Sequence, residues 1–511
     1  MMINNNKQID WLITLLPFTT ITSVAALLFI YPNESNKIIL SIRSFLGDTL
    51  GIFYLVIGLL ILAISIYLCC SKFSNITLGE PDESPKYSFF SWGSMIFTCG
   101  LAADILFYSF TEWILYATNQ HITELGNIHS WAGVFPLFHW SFIPWSFYLV
   151  LAVVFGFMIH VRKRTRQRFS EACKPLIGNH ANRIIGRTID MFAVFALLAG
   201  TATTFSIATP LLCAILTTIF NLNFTSTTIT IIILLFTCCI YTYATLYGFK
   251  GMQLLAKICI SLFFILLSAI FLIGNQTKFI LENGLQSFGI MLQHFLELAT
   301  YTDPVRTTNF PQDYTIYYWA YWMVWCIATP FFIANISKGR TIKEIIIGGY
   351  TFGAGSTLLS FIILGNYALG IQLSGSKDFI SEFLITNNLY ELILHILNTL
   401  PASNIIIITT LLCMILFYAT SFDSIAYIAS CYSYKNIDNN EHPDKFISLI
   451  WCIMLIILPI ALVFSESSMA SIQSISIISA FPIGIIMLMM IYSFFKDSKQ
   501  YLIENKHHNL P

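Results

Sequence analysis

Apolar residues in this chain come in long runs separated by short polar stretches. About a dozen runs are long enough to cross ~30 Å of hydrocarbon. Their cores fall near 11–31, 50–70, 88–110, 131–159, 188–219, 226–246, 254–274, 315–336, 343–368, 402–432, 446–466 and 472–495. The pattern predicts an all-α polytopic membrane protein of about 12 transmembrane helices. Two further stretches, 277–300 and 376–398, are amphipathic and predict helices lying at the outer interface. No Pro/Gly/Ser-rich linker divides the chain, and nothing suggests a soluble second domain.

Composition agrees with the pattern. Hydrophobic residues make up 56% of the chain and charged residues only 10%, against about 25% charge in an ordinary soluble domain. Net charge is zero, but Arg162, Lys163, Arg164, Arg166, Arg168, Lys174, Arg183 and Arg187 crowd one loop. Between two spans, such a run predicts a cytoplasmic loop rather than a nucleic-acid surface. The segment Ser337–Glu344 and the tail with Lys496, Lys499 and Lys506 are basic too. With an even number of spans, the positive-inside rule places both termini in the cytoplasm. The 12 Cys include no CxxC and no Cys/His ligand spacing, so they are read as buried structural thiols. Paired intramembrane His are absent, which argues against haem or copper.

The most informative stretch is Asp313-Tyr-Thr-Ile-Tyr-Tyr-Trp-Ala-Tyr-Trp-Met-Val-Trp325. On a helix, Tyr314, Tyr318, Tyr321, Trp322 and Trp325 share an arc of about 100°, with Trp319 pointing elsewhere. The fourth span adds Trp140, Trp145 and Tyr148 beside Pro144. Rings at a lipid interface are the plainer reading, but five on one face over three turns run too deep for a belt. Ring faces can hold a methylated ammonium, which has no N–H to donate. Each contact contributes roughly 0.5–2 kcal/mol when dry.

These residues resemble the betaine/carnitine/choline transporters over nearly the whole chain. That family's eighth-span signature is a small or acidic residue followed by Trp-Thr-x-x-(Phe/Tyr)-Trp-x-Trp-Trp; here Tyr314 and Tyr321 stand for two of the Trp. Ile336-Ser-Lys-Gly-Arg-Thr-Ile and Phe138-His-Trp…Trp…Tyr148 also match. The resemblance implies LeuT-like inverted five-helix repeats preceded by two extra helices. It divides the chain into 1–87 (tail and extra helices), 88–276 (first repeat), 277–314 (outer helix and linker), 315–495 (second repeat) and 496–511 (tail). It implies a homotrimer in the bacterial inner membrane, and a cage formed by Trp140, Tyr321, Trp322 and Trp325, with Trp145 and Tyr148 more peripheral.

Asp104, in Phe97-Thr-Cys-Gly-Leu-Ala-Ala-Asp-Ile-Leu-Phe107, lies inside an apolar span. A charge there costs at least ~2.5–3.5 kcal/mol, which makes it a functional candidate; the bland alternative is a packing Asp bonded to Ser or Thr. The family's proton-coupled choline carriers have Asp at this position, and its sodium-coupled betaine carriers have Gly. Choline's net positive charge suits a carboxylate, and such a group could exchange a proton. Only Gly100 remains of the family's three spaced glycines.

The family's sodium site would fall on the Phe417 carbonyl, the Thr420 and Ser421 hydroxyls, and the Thr98 and Leu101 carbonyls. Ser/Thr packing between helices remains the alternative. A second sodium site fits poorly, because the partners of Thr201 fall on Leu197 and Ala328. The family's ion-independent exchangers carry an Arg where Cys259 stands. The expected function is uptake of choline or a betaine with H⁺ or Na⁺ and no resident cofactor. A carnitine/γ-butyrobetaine exchanger is the alternative, and a membrane sensor or enzyme the remote one.

Overall fold

A computed structural model describes residues 8–221, 226–247, 249–435, 437, 443–465 and 468–508. Parts of the expected loop after the tenth span and the ends of both tails lie outside these residues. Among the described residues the chain is helical and has no named strand; Ile9 with Tyr434 and Thr77 with Thr341 make isolated bridges.

Among the described residues, eight helices are each long and apolar enough to cross a bilayer, and three bent pairs raise the number to eleven. Thr227–Tyr243, at the place of the expected sixth span, is a shorter apolar helix. The elements follow the apolar runs: Trp11–Ile30, Ile52–Cys70, Phe89–Cys99 with Ala103–Ala117, Ile128–Val161, Ile184–Phe220, Ser226–Tyr247, Phe249–Ile273, Pro311–Ile327 with Thr329–Ile336, Ile342–Leu373, Ser403–Tyr432, Lys445–Phe464 and Met469–His508. They are called the first to twelfth spans below.

The fourth span is buried almost throughout and lies at the centre. It packs on the second, third and eighth spans, while the fifth packs along the twelfth. The first two spans keep large apolar side chains exposed, among them Leu15, Leu27, Val56 and Ile66. That is the surface expected of helices solvated by lipid.

Of the two amphipathic stretches, Thr277–Gln293 leaves the seventh span at 108°, as an interfacial helix must. Leu389–Asn398 differs from the expectation. It buries Leu389, Leu392, Ile393, Leu394, Ile396 and Leu397 against the third, fifth and tenth spans. Its apolar face covers protein rather than lipid.

Candidate functional site

The third span breaks at Gly100-Leu101-Ala102, and its second half restarts 64° off the first. Gly100 is dictated by space: a Cβ there would stand 2.4 Å from Ser356 Oγ and 2.9 Å from Trp145 Cζ2. Asp104 falls in the first turn of the restarted helix. Unpaired N–H groups and the helix dipole favour a negative charge there. The carboxylate is buried. Its Oδ2 accepts a hydrogen bond from the Tyr321 hydroxyl at 2.6 Å, and that hydroxyl is shared with Thr204. Oδ1 makes no hydrogen bond among the described residues, and the carboxylate lies near the N–H groups of Asp104 and Ile105.

The fourth span is interrupted at Trp140-Ser141. Pro144 explains how the break is maintained. It has no N–H to give the carbonyl four residues back, which belongs to Trp140, and the Thr357 hydroxyl donates to that carbonyl at 2.6 Å instead. The eighth span bends by 53° after the tight turn Trp325–Ile327, where Pro330 opens the next helix.

Between these breaks the rings meet. Trp322 is the hub: its ring centroid is 4.8 Å from Tyr148, 5.7 Å from Trp145 and 5.7 Å from Trp140, at interplanar angles of 52–66°. Trp145 and Tyr148 meet edge to face at 5.6 Å. These are walls joined at corners. Trp145 and Tyr148, expected at the periphery, therefore touch the hub directly. Phe361 of the ninth span backs Trp140 at 5.2 Å, a neighbour that sequence spacing did not reveal.

The expected five-ring wall divides. Tyr318 stacks on His139 at 4.9 Å and meets Trp140 edge to face at 5.6 Å, while the partly buried Tyr314 packs edge-on to Tyr116 at 5.3 Å. Trp325 is half-buried beside Gly200 and makes no ring contact with the other cage residues among the described ones. Trp319 does point elsewhere: it fills the space over Gly58, where a Cβ would stand 2.7 Å from its ring. Glu112, for which the sequence leaves a place beside the unwound segment and a helix-end anchor equally open, is fully buried and accepts the Trp140 indole N–H at 2.6 Å. A second carboxylate in one apolar span was the signal that could have singled it out.

The ion candidates lie on two elements. Thr98 precedes and Leu101 lies in the break of the third span, and Phe417, Thr420 and Ser421 lie on the tenth. The Thr420 hydroxyl donates to the Leu416 and Phe417 carbonyls at 2.9 and 3.2 Å, and the Thr98 carbonyl accepts the Leu101 N–H at 3.2 Å. Thr420 has Cys259 as a hydrogen-bonding neighbour. The Thr201 hydroxyl donates to the Leu197 carbonyl at 2.6 Å. The side chain of Asp423 lies outside the description.

A helical bundle with three interrupted spans around a buried aromatic box defines the class: a polytopic membrane transporter. The family model described as BCCT, betaine/carnitine/choline family transporter, matches residues 12–502, and the chain belongs to that family. A carnitine transporter of Acinetobacter baumannii is 26% identical over 479 residues, covering 93% of this chain and 86% of that one. An osmo-independent choline transporter of Acinetobacter baylyi is 26% identical, covering 94% and 91%. A glycine betaine transporter of Bacillus subtilis is 26% identical, covering 97% and 95%.

Proposed function

We propose that this transporter takes up choline, or a close quaternary ammonium, with H⁺ or Na⁺. The observation that carries the reading is Asp104: a buried carboxylate with one oxygen free of hydrogen bonds, at the edge of a box of rings. A permanent cation without N–H donors suits such a site, since it needs a nearby anion and ring faces rather than hydrogen bonds. Trp140, Trp145, Tyr148, Tyr321 and Trp322 form the box in this reading, with Trp325 one helical turn beyond Trp322. The oxygens of Phe417, Thr420, Ser421, Thr98 and Leu101 form the sodium candidate, because hard oxygen ligands suit a hard cation. The bent third and eighth spans each open one proposed five-helix half, as expected for inverted repeats. A homotrimer in the bacterial inner membrane with both termini cytoplasmic completes the proposal.

A second reading has an observation of its own. The indole N–H groups of Trp145 and Trp322 have no acceptor among the described residues. A zwitterion such as carnitine would bring a carboxylate that could take them, which favours an exchanger of carnitine-like substrates. A thermal-shift panel of choline, betaine, carnitine and γ-butyrobetaine, with and without sodium, separates the two. Uptake into proteoliposomes completes the test. Choline flux indifferent to both proton and sodium gradients would remove the coupling claim, and uptake that needs internal carnitine would replace the first reading with the second.

A further inference from the structure

Glu112, Tyr116 and His139 form a fully buried polar chain directly behind the cage. Trp140 Nε1 donates to Glu112 Oε2 at 2.6 Å, and the Tyr116 hydroxyl bonds Glu112 Oε1. The same hydroxyl lies 2.6 Å from His139 Nδ1. His139 Nε2 lies 3.0 Å from Thr315 Oγ1. Among the described residues, the only ion-pair partner of Glu112 is His139, at 3.5 Å. The other titratable groups facing it are Tyr108 from its own span and Tyr314 and Tyr318 from the eighth; Asp104 adjoins Tyr108 from the far side.

A hydroxyl has one proton to give, and a neutral imidazole has one donor and one acceptor. Two arrangements therefore satisfy every site in this chain. With Glu112 ionised, Thr315 donates to His139 Nε2, His139 Nδ1–H donates to Tyr116, and Tyr116 donates to the carboxylate. With Glu112 protonated, every one of these bonds runs the other way. The two states differ by one proton, and the imidazole is neutral in both.

We propose that Glu112 is the proton site of this transporter, filled and emptied through Tyr116, His139 and Thr315. On release, the Glu112 proton passes to Tyr116, the Tyr116 proton to His139 Nδ1, the Nε2 proton to Thr315, and the Thr315 proton to water. Loading is the reverse. The inference rests on the cage reading and resolves a conflict within it. If Asp104 were both counter-charge and proton carrier, cation and proton would compete for one carboxylate, which produces exchange rather than co-transport. A second carboxylate lets both be carried together. Trp140 links the two sites, because its N–H bond to an ionised carboxylate is roughly twice as strong as to a neutral one.

The test uses the full chain. Infrared difference spectra between about pH 5 and about pH 9, recorded without substrate, should show a protonated carboxyl band lost in Glu112→Gln, with histidine ring bands changing in step. Tyr116→Phe should keep the carboxyl band but uncouple it from the histidine bands; it serves too if the Gln variant does not fold. In proteoliposomes, Glu112→Gln should bind choline within about tenfold of wild type yet lose uptake driven by a pH gradient. Persistence of the band in Glu112→Gln, or pH-driven uptake by that variant, overturns the proposal. Failure of the wild type to bind any quaternary ammonium overturns the cage reading instead, and leaves the infrared result to stand or fall alone.

Discussion

At the residue scale, recognition of a methylated cation divides between attraction by ring faces and attraction by charge. Trp322 touches Tyr148, Trp145 and Trp140, so it contributes most of the box. Trp322→Ala should raise the half-saturation concentration for choline about tenfold or more, the loss of one or two dry ring contacts. Trp322→Phe should cost less, and wild-type kinetics in the Ala variant would place the site elsewhere. In the proposed reading, Asp104 decides which head group is tolerated. Asp104→Gly should shift preference from choline toward betaine, whose own carboxylate the native Asp104 repels; an unchanged substrate ranking in competition uptake would count against the role. The ring face of the eighth span and the intramembrane Asp104 were both legible in the sequence, because helical period and hydropathy are local properties. The bond from Trp140 to Glu112 was not, since it joins two spans whose mutual rotation no local pattern fixes. The same rotation carries Tyr314 to Tyr116 rather than to the box, although it shares a helix face with Trp322.

At the element scale, the site is made by interruptions, and glycines allow their close packing. Gly353 of the ninth span lies against Trp145 so tightly that a Cβ would stand 2.2 Å from its ring. Gly353→Ala should push the Trp145 indole toward Trp322, change intrinsic tryptophan fluorescence, and weaken choline binding through an overpacking cost of ~1–3 kcal/mol. Gly355 is the matched control: nothing lies within 4 Å of an added Cβ, so Gly355→Ala should bind as wild type in the same thermal-shift titration. Equal effects of the two substitutions would show that the ninth span responds to helix propensity rather than to contact with Trp145. The sequence showed where apolar runs lie and that Pro144 disturbs one. It did not show that the interruption falls at Trp140-Ser141, because the stranded carbonyl is taken by Thr357, 217 residues away.

At the scale of the whole molecule, the basic loop after the fourth span has a structural task beyond topology. Asp497, near the end of the twelfth span, accepts Arg162 Nε at 2.7 Å and Arg164 Nη2 at 2.6 Å, while Arg162 also reaches Glu504 at 2.8 Å. Arg168 pairs with Asp190 at 3.2 Å and also donates to the Tyr432 and Tyr434 carbonyls. One loop thus ties the fourth span to the fifth, tenth and twelfth. Charge patterning marks that loop's side of the membrane, but it cannot identify acidic partners more than 300 residues away. Asp497 is 8% exposed, so removing its charge leaves two guanidinium groups short of a partner in a poorly hydrated place. Asp497→Asn should lower stability in detergent by ~1–3 kcal/mol, read as an earlier thermal unfolding transition. Adding Arg164→Gln should cost less than the sum of the single changes, because the second substitution removes a charge that the first has already left unpaired. High salt should narrow the gap to wild type without closing it, since screening reaches the partly exposed arginines more readily than the buried carboxylate. Additive losses that ignore salt would mean that the tie contributes through packing of the long arginine stems, not through charge.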